Sequence, residues 1–416
     1  MGNKGLELLI DERNGRLHCA VVRKTTMIDL FLDSDDTTIA AWGSIYVGRV
    51  AKIDRALDAA IIELGDGLTG LLPAKHAQPV AKNSAARKKP IGEALSPGQS
   101  LIVQVKSEPK RGTRHEQLKM PRLTTKIVIM GQYSHHTPMT NTVLMSRKIT
   151  SPAVMDLVAE MKQGDAGFLV QATADLAPSA GDIKAEAVEL AKIWQQLKAQ
   201  IDAGGEKPRL IARGPNALAR AMLDYSAGAF EHIYVADKNI LSRMQEWCAI
   251  HAPALATSKR LRLFKPEKIG QKLFDFYDVE GAIADLNETQ VFLPGGGGII
   301  IDYAHAMVVV DVNQGSAPSI VDANIEAARE VAKQMRLRNL SGAIIVDFIN
   351  MTQRTERALV LDALEKALAS DTAAPLVHGF TRIGIVEITR KRRTAMHIEK
   401  RITASDPAAS AFNKNA

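Results

Sequence analysis

The sequence predicts a multidomain α/β protein, and three observations carry that prediction. At 416 residues the chain exceeds what one compact core holds, which points to two or more domains. Up to Met130 the pattern is one of short strands broken by glycine and asparagine turns. In the last third, apolar strands alternate with amphipathic helices, the pattern of a sheet with parallel strands.

In chain order, Leu6–Asp11 and Leu17–Val22 alternate in strand fashion around an Asn14-Gly15 turn, a hairpin signal, and Met27–Leu32 is a third strand. Ile45–Val50, Ala59–Gly65, Gly70–Pro73 and Leu101–Val105 are short, with glycine corners and no helical period. Such a set predicts a small barrel, with an OB-fold the leading candidate. Within it, residues 78–98 are rich in Ala, Pro, Lys and Ser and read as a flexible inserted loop. Between Ser151 and Ala203 two helices flank a strand at Phe168–Ala172. The second helix places Ile183, Ala187, Leu190, Ala191, Trp194 and Leu197 on one face. Leu210-Ile211, a helix over Ala217–Tyr225, a strand over His232–Ala236 and a helix from Lys238 to His251 follow. The last third reads as strands at Ile299–Asp302 and Met307–Val312, a helix over Ser319–Leu337, a strand over Ala343–Phe348, a helix over Thr355–Ala369 and a strand over Gly384–Ile388. Residues 403–416 have no apolar period and are expected to be disordered.

Lys and Arg total 53 against 46 Asp and Glu, a net charge of +7 that favours a polyanionic partner without identifying one. Aromatic content is only 5%, so base stacking has few platforms. Cys19 and Cys248 lie far apart and outside any C-x-x-C pair, which argues against a disulfide framework or zinc knuckle and for a reducing compartment. No stretch approaches the roughly 18 to 20 apolar residues of a membrane span. Met1–Gly5 leads into a strand-like run and not a signal-peptide core. A soluble, cytoplasmic protein is expected.

Two acidic residues occupy equivalent places in the last third. Asp311 follows Met307-Val308-Val309-Val310, and Asp347 follows Ala343-Ile344-Ile345-Val346, with an amphipathic helix between the two runs. A strand–helix–strand unit makes the strands parallel, so both carboxylates emerge at the carboxyl edge of the sheet, where α/β folds bind ligands. Asn313 lies two residues past Asp311, on the same side by strand alternation. Two carboxylates and an amide oxygen suit one magnesium ion that keeps several waters and binds a substrate phosphate. An Asp after a strand also serves as a helix cap or turn former, and spacing alone leaves both readings open.

The longer string decides between them by resemblance. Val310-Asp311-Val312-Asn313-Gln314-Gly315-Ser316 resembles the ribonuclease E/G signature I-D-V-N-S/T-G. Ala323-Asn324-Ile325-Glu326-Ala327-Ala328 and then Ala332–Met351 follow at that family's spacing, the latter resembling A-x-Q-L-R-L-R-N/D-I/L-G-G with V-D-F-I-D-M beyond. Arg382–Arg392 is similar to R-L/F-G-L-x-E-M-T/S-R-x-R, and Leu273-Phe274-Asp275 and Val279-Glu280 to the approach to this domain. Ile45–Val50, Leu57–Ala60 and Lys119–Thr125 resemble the opening and close of the family's OB-fold.

The resemblance implies an RNase H-like domain over residues 1–40 and 209–278, split by an OB-fold over 41–125 and a 5′-end sensor over 126–208. A DNase I-like catalytic domain would occupy 279–402. It implies internal cleavage of single-stranded RNA to 5′-phosphate and 3′-hydroxyl ends, with Asp311 and Asp347 as metal ligands and Asn313 in support. The cofactor implied is Mg2+, with Mn2+ as a substitute. No C-P-x-C link follows Arg393, so neither zinc nor a zinc-linked assembly is expected, and the oligomeric state is left open. The readings from other classes are an RNA-binding protein that keeps this fold with little catalysis, and a metal-dependent phosphatase.

The chain also departs from the pattern. Ile61 and Leu71 stand where the OB-fold normally offers aromatic rings to a base. Gln171-Ala172 follow Gly167-Phe168-Leu169-Val170, where the sensor normally has Arg-Thr, which predicts that 5′-phosphate and 5′-hydroxyl RNAs are cut at similar rates. Ala304-His305 replace a Thr-Glu pair. Arg147 and Arg382 are candidate phosphate ligands. Two basic clusters flank the implied RNA path: Lys110, Arg111, Arg114, Lys119 and Arg122 in one loop, and Arg390-Lys391-Arg392-Arg393 after the last strand.

Overall fold

A computed structural model describes residues 5–13, 15–33, 39–77, 89–109, 119–256, 258–304 and 306–397. Asn14, residues 78–88, Lys110, Arg111, Arg114, His305 and the tail at 403–416, on all of which the sequence places expectations, lie outside the described residues. The described residues are mixed α/β and form four sheets, one of them a small barrel. Among the described residues no helix is long and apolar enough to cross a membrane.

The first sheet joins distant parts of the sequence. Leu6–Arg13, Arg16–Arg23 and Thr26–Leu32 form an antiparallel meander, and His232–Val235 lies parallel to Leu6–Arg13 with Leu261–Leu263 beyond it. Leu8, Ile10, Cys19 and Val21 point into one core with Ala217, Ala221 and Met222 of the helix Ala217–Tyr225. Alternate residues Leu9, Ala20 and Val22 point to the other face, against Leu273, Phe274 and Leu337. The strand interiors are apolar on both faces because both are covered.

The barrel closes because Ile45–Asp54 pairs on one side with Ala59–Gly65 and on the other with Ser100–Ser107. At Gly48 a Cβ would stand 2.5 Å from Ile62 Cγ2 and 3.1 Å from the Glu63 carbonyl oxygen, so only glycine lets the strands approach there. Arg209–Ala212 adds antiparallel to Ile45–Asp54. The reading of residues 78–98 as one flexible loop is corrected at its end. Ile91–Ala94 form a helical turn, Ile91 is 1% exposed in the barrel core, and its N–H donates to Asp58 Oδ1 at 2.8 Å.

Residues 129–203 form a small four-stranded sheet packed against the helices Pro152–Met161 and Ala180–Ala203. Glu186 organises this region from inside: its carboxylate accepts the N–H groups of Gln132, Tyr133 and Ser134.

The last sheet has six strands in the order Gln290–Phe292, Gly298–Tyr303, Met307–Asn313, Gly342–Asp347, Val386–Arg390 and Leu376–Phe380. Only Met307–Asn313 and Gly342–Asp347 run parallel, joined by the helix Ile320–Leu337, which Ser319 caps through its hydroxyl to the Asp322 N–H. One face of the sheet is apolar and buried: Ile299, Ile301, Val308, Val310, Val312, Ile344, Val346, Val386 and Ile388. Ala327, Ala328, Val331, Ala332 and Met335 of the connecting helix lie on it, together with Val360, Leu364 and Leu368 of the helix Arg354–Leu368. Each of the larger side chains contributes about 1.5–3 kcal/mol by leaving water. Both helices belong to this one core, which leaves the polar residues of the strands on the opposite face. The final strand begins two residues later than the sequence predicts, because Gly384, at φ 94°, sits in the turn before it.

Candidate active site

Asp311 and Asp347 are direct partners in the parallel ladder. Adjacent strands lie about 4.8 Å apart, and side chains at paired positions leave the sheet on the same side. Val310, Val312 and Val346 point into the helix-covered core, so Asp311, Asn313 and Asp347 emerge on the open face, where all three are exposed. Asn313 Nδ2 donates to Asp311 Oδ2 at 2.9 Å, which fixes that carboxylate's orientation and keeps the amide oxygen as an acceptor. Two carboxylates and an amide oxygen on one edge are hard-oxygen donors that could hold a divalent cation with part of its water shell retained. Among the described residues no three His, Cys, Asp or Glu side chains converge as a metal cage.

The loops beside these strand ends are held from behind. Asn324, with no exposed surface, spans from the connecting helix to Ile349, donating to its carbonyl at 2.8 Å and accepting its N–H at 3.0 Å. That bidentate clamp fixes the backbone two residues past Asp347. Glu326, two residues further along the helix, accepts the Gly295 N–H at 3.0 Å and so holds the 294–297 loop beside the end of the Asp311 strand. Gly315, at φ 53°, packs directly on Gly296, where a Cβ would strike the Gly296 carbonyl oxygen. Sequence reading does not single out Asn324 or Glu326. The signal is their place, on the connecting helix, inside the string that follows the Asp311 motif.

The basic residues divide. Lys119, Arg147, Arg382 and Lys391 are exposed. Arg390 is not, and its reading as an RNA ligand is corrected. Its side chain is 8% exposed and is paired to Asp371, itself 1% exposed, through Nε at 2.7 Å and Nη2 at 3.3 Å. Nη1 donates to Asn339 Oδ1 and to the Leu340 carbonyl. The cause is alternation: with Val386 and Ile388 turned into the core, Arg390 follows them. Arg392, half-buried, donates to the Pro109 carbonyl at 2.9 Å and is likewise spent on joining sheet to barrel. Arg393 pairs with Asp224 at 2.7 Å and stands over the Trp42 ring. Of this basic run only Lys391 faces solvent freely.

On the barrel, Ile61 and Leu71 are cross-strand partners, both half-buried, so two aliphatic side chains share one patch of wall. Gln171, at the end of the strand Phe168–Val170, folds its amide back to the Leu169 carbonyl at 3.2 Å.

A family model described as "Ribonuclease E/G family" matches residues 128–393. Among curated proteins the chain is 33% identical to a ribonuclease G of Salmonella typhimurium over 370 residues, covering 84% of this chain and 72% of that protein. It is 32% identical to ribonuclease G of Escherichia coli K12 over 368 residues, with the same coverage of 84% and 72%. A ribonuclease E of Nostoc sp. is 32% identical over 368 residues, which span 84% of this chain and 51% of that protein.

Proposed function

Because the chain belongs to the ribonuclease E/G family, we propose that it is an endoribonuclease acting on single-stranded RNA by magnesium-assisted hydrolysis. The observation that carries this reading is the in-register pair Asp311–Asp347 on the open face of the last sheet. The reading extends to RNA processing or decay in the cytoplasm, and to the division of the chain into RNase H-like, OB-fold, 5′-sensor-like and DNase I-like parts.

In the reaction a water oxygen forms a bond to phosphorus as the bond to the 3′ oxygen breaks, leaving a 3′-hydroxyl and a 5′-phosphate. Asp311 and Asp347 would hold the Mg2+ ion (Mn2+ as substitute), which when bound polarises a phosphoryl oxygen and favours the attacking water. Asn313 orients the Asp311 carboxylate and offers an amide oxygen. Rigid strands set both carboxylates before substrate arrives, so no reorganisation is needed as charge develops. Exposed Lys119, Arg147, Arg382 and Lys391 are the candidates to hold RNA phosphates; Arg114 belongs to the same proposal on sequence alone. The experiment is incubation of a short A/U-rich RNA with and without Mg2+, followed by identification of product termini. Mg2+-dependent internal cuts bearing 5′-phosphates support the reading. Tight binding without cuts, across several metals, rejects it in favour of an RNA-binding role.

Two further outcomes follow. Ile61→Phe is expected to tighten single-stranded RNA by about 1–3 kcal/mol, the value of one stacked base, in fluorescence anisotropy. An unchanged affinity would remove that wall from the RNA path. Strands with 5′-phosphate and 5′-hydroxyl are expected to be cut at similar rates, because Gln171-Ala172 supply no guanidinium. A preference of about tenfold or more for the phosphate, equivalent to roughly 1.4 kcal/mol, would refute this.

A further inference from the structure

A cavity of about 250 Å3 lies between the helix Ala180–Ala203, the barrel strand Ile45–Asp54 and the helices Ala217–Tyr225 and Lys238–His251. Its walls include Ile45, Ile129, Leu190, Ile193, Leu197 and Met222, together with the Trp247 ring. Ile45, Ile129 and Leu190 belong to a small apolar cluster separate from the barrel and sheet cores, and Ile193 and Leu197 stay only half-buried against it. Protein interiors hold few voids larger than a water molecule. Here the apolar side chains of the junction line a gap instead of closing it.

The polar side chains of the wall are already committed. Gln104 donates its amide to the Gly43 and Val128 carbonyls and accepts the Val128 N–H, each at 2.9 Å. Gln132 donates to the His251 carbonyl at 2.6 Å and accepts the Ala227 N–H at 2.9 Å. Glu186 accepts the N–H groups of Gln132, Tyr133 and Ser134. Water settles in a cavity only where several polar partners face it, so this interior favours hydrocarbon.

The mouth is different. Arg213 lines the cavity and is exposed, and among the described residues no hydrogen bond or ion pair holds its guanidinium. His251 lines it too, with its ring 4.8 Å from that of Trp247. Burial holds the His251 imidazole below its usual range, against the opposing charge of Glu189, so the ring is neutral at pH 7. An apolar interior with a free guanidinium at its entrance matches a ligand that is apolar at one end and anionic at the other.

We propose that this cavity binds a medium-chain fatty acid, with its chain among Ile129, Leu190, Ile193 and Leu197 and its carboxylate on Arg213. The guanidinium fork matches a carboxylate with two parallel N–H bonds. Since a cavity of about 150 Å3 takes benzene, this one has room for a chain of about ten carbons. The occupant touches the barrel, the 129–203 segment and the helices of the first sheet at once, and braces them against one another. The site lies apart from Asp311 and Asp347 and does not depend on the ribonuclease reading.

The test is isothermal titration calorimetry of the full chain with decanoate below its micelle concentration, beside thermal unfolding. One decanoate per chain is expected to bind, with a Tm that rises with its concentration. Arg213→Gln should weaken decanoate about tenfold, the scale of a hydrogen bond to a charged group. Neutral 1-decanol should bind the unsubstituted protein about tenfold more weakly than decanoate and be indifferent to Arg213→Gln. Leu197→Trp fills the cavity and should abolish binding of both. Arg213 is exposed, so its variant is read without a change in packing. Absence of saturable binding overturns the proposal, as does decanoate binding that survives Leu197→Trp. Equal affinity for decanoate and decanol, untouched by Arg213→Gln, overturns the assignment of the carboxylate.

Discussion

Asp347→Asn is expected to lower the rate of RNA cleavage by about a thousandfold while RNA affinity without metal stays within about twofold. That factor is the several kcal/mol a bound cation contributes to charge stabilisation. The substitution keeps the side chain's size and its place on an exposed strand end, and removes one negative charge. Since Asp311 and Asp347 are ladder partners on one face, they would act as one donor set. Adding Asp311→Asn to Asp347→Asn should therefore cost little more than either alone, as for groups that work as a unit. Single-turnover rates of the two single variants and the double variant check this. Independent, multiplying losses would mean that the two carboxylates serve different steps.

Arg390→Ala is expected to destabilise the fold by about 3–5 kcal/mol, the scale for removing one partner of a buried ion pair. Among the described residues Asp371, 1% exposed, would keep only the Ala373 N–H as a donor to its side chain, and Asn339 and the Leu340 carbonyl would lose a donor. Arg390→Lys should rescue little, because a point charge cannot serve the two Asp371 oxygens and two further acceptors together. Urea unfolding of the three proteins gives the comparison. RNA affinity measured under conditions where the variant is folded should be unchanged. A variant of normal stability with weakened RNA binding would return Arg390 to the RNA path.

The last sheet is legible in the sequence because its strands obey a simple rule: alternate residues are apolar and buried under helices. The same rule, with a helix between two apolar runs, yields the parallel pairing and so the Asp311–Asp347 juxtaposition from the sequence alone. It also holds the sign that Arg390 is buried, since Val386, Ile388 and Arg390 share a parity; a basic run read as a unit hides it. Leu376–Phe380 escapes sequence reading because it is an edge strand with no fully buried residue. Ile91–Ala94 is obscured by the low-complexity residues before it, although Ile91 is a core side chain. The cavity beside Arg213 has no local signature at all. Ile45, Ile129, Leu190, Met222 and Trp247 come from distant parts of the chain and meet only in the tertiary fold. Burial of an apolar face is a local pattern, whereas convergence of distant side chains is not.

The most direct measurement compares the unsubstituted protein with Asp311→Asn on one fluorescently labelled A/U-rich RNA in the presence of Mg2+, reading cleavage and binding in parallel. The account predicts cutting by the unsubstituted protein that disappears in the variant while binding persists. Equal cutting by both proteins would contradict it, because Asp311 would then hold no part of the catalytic centre.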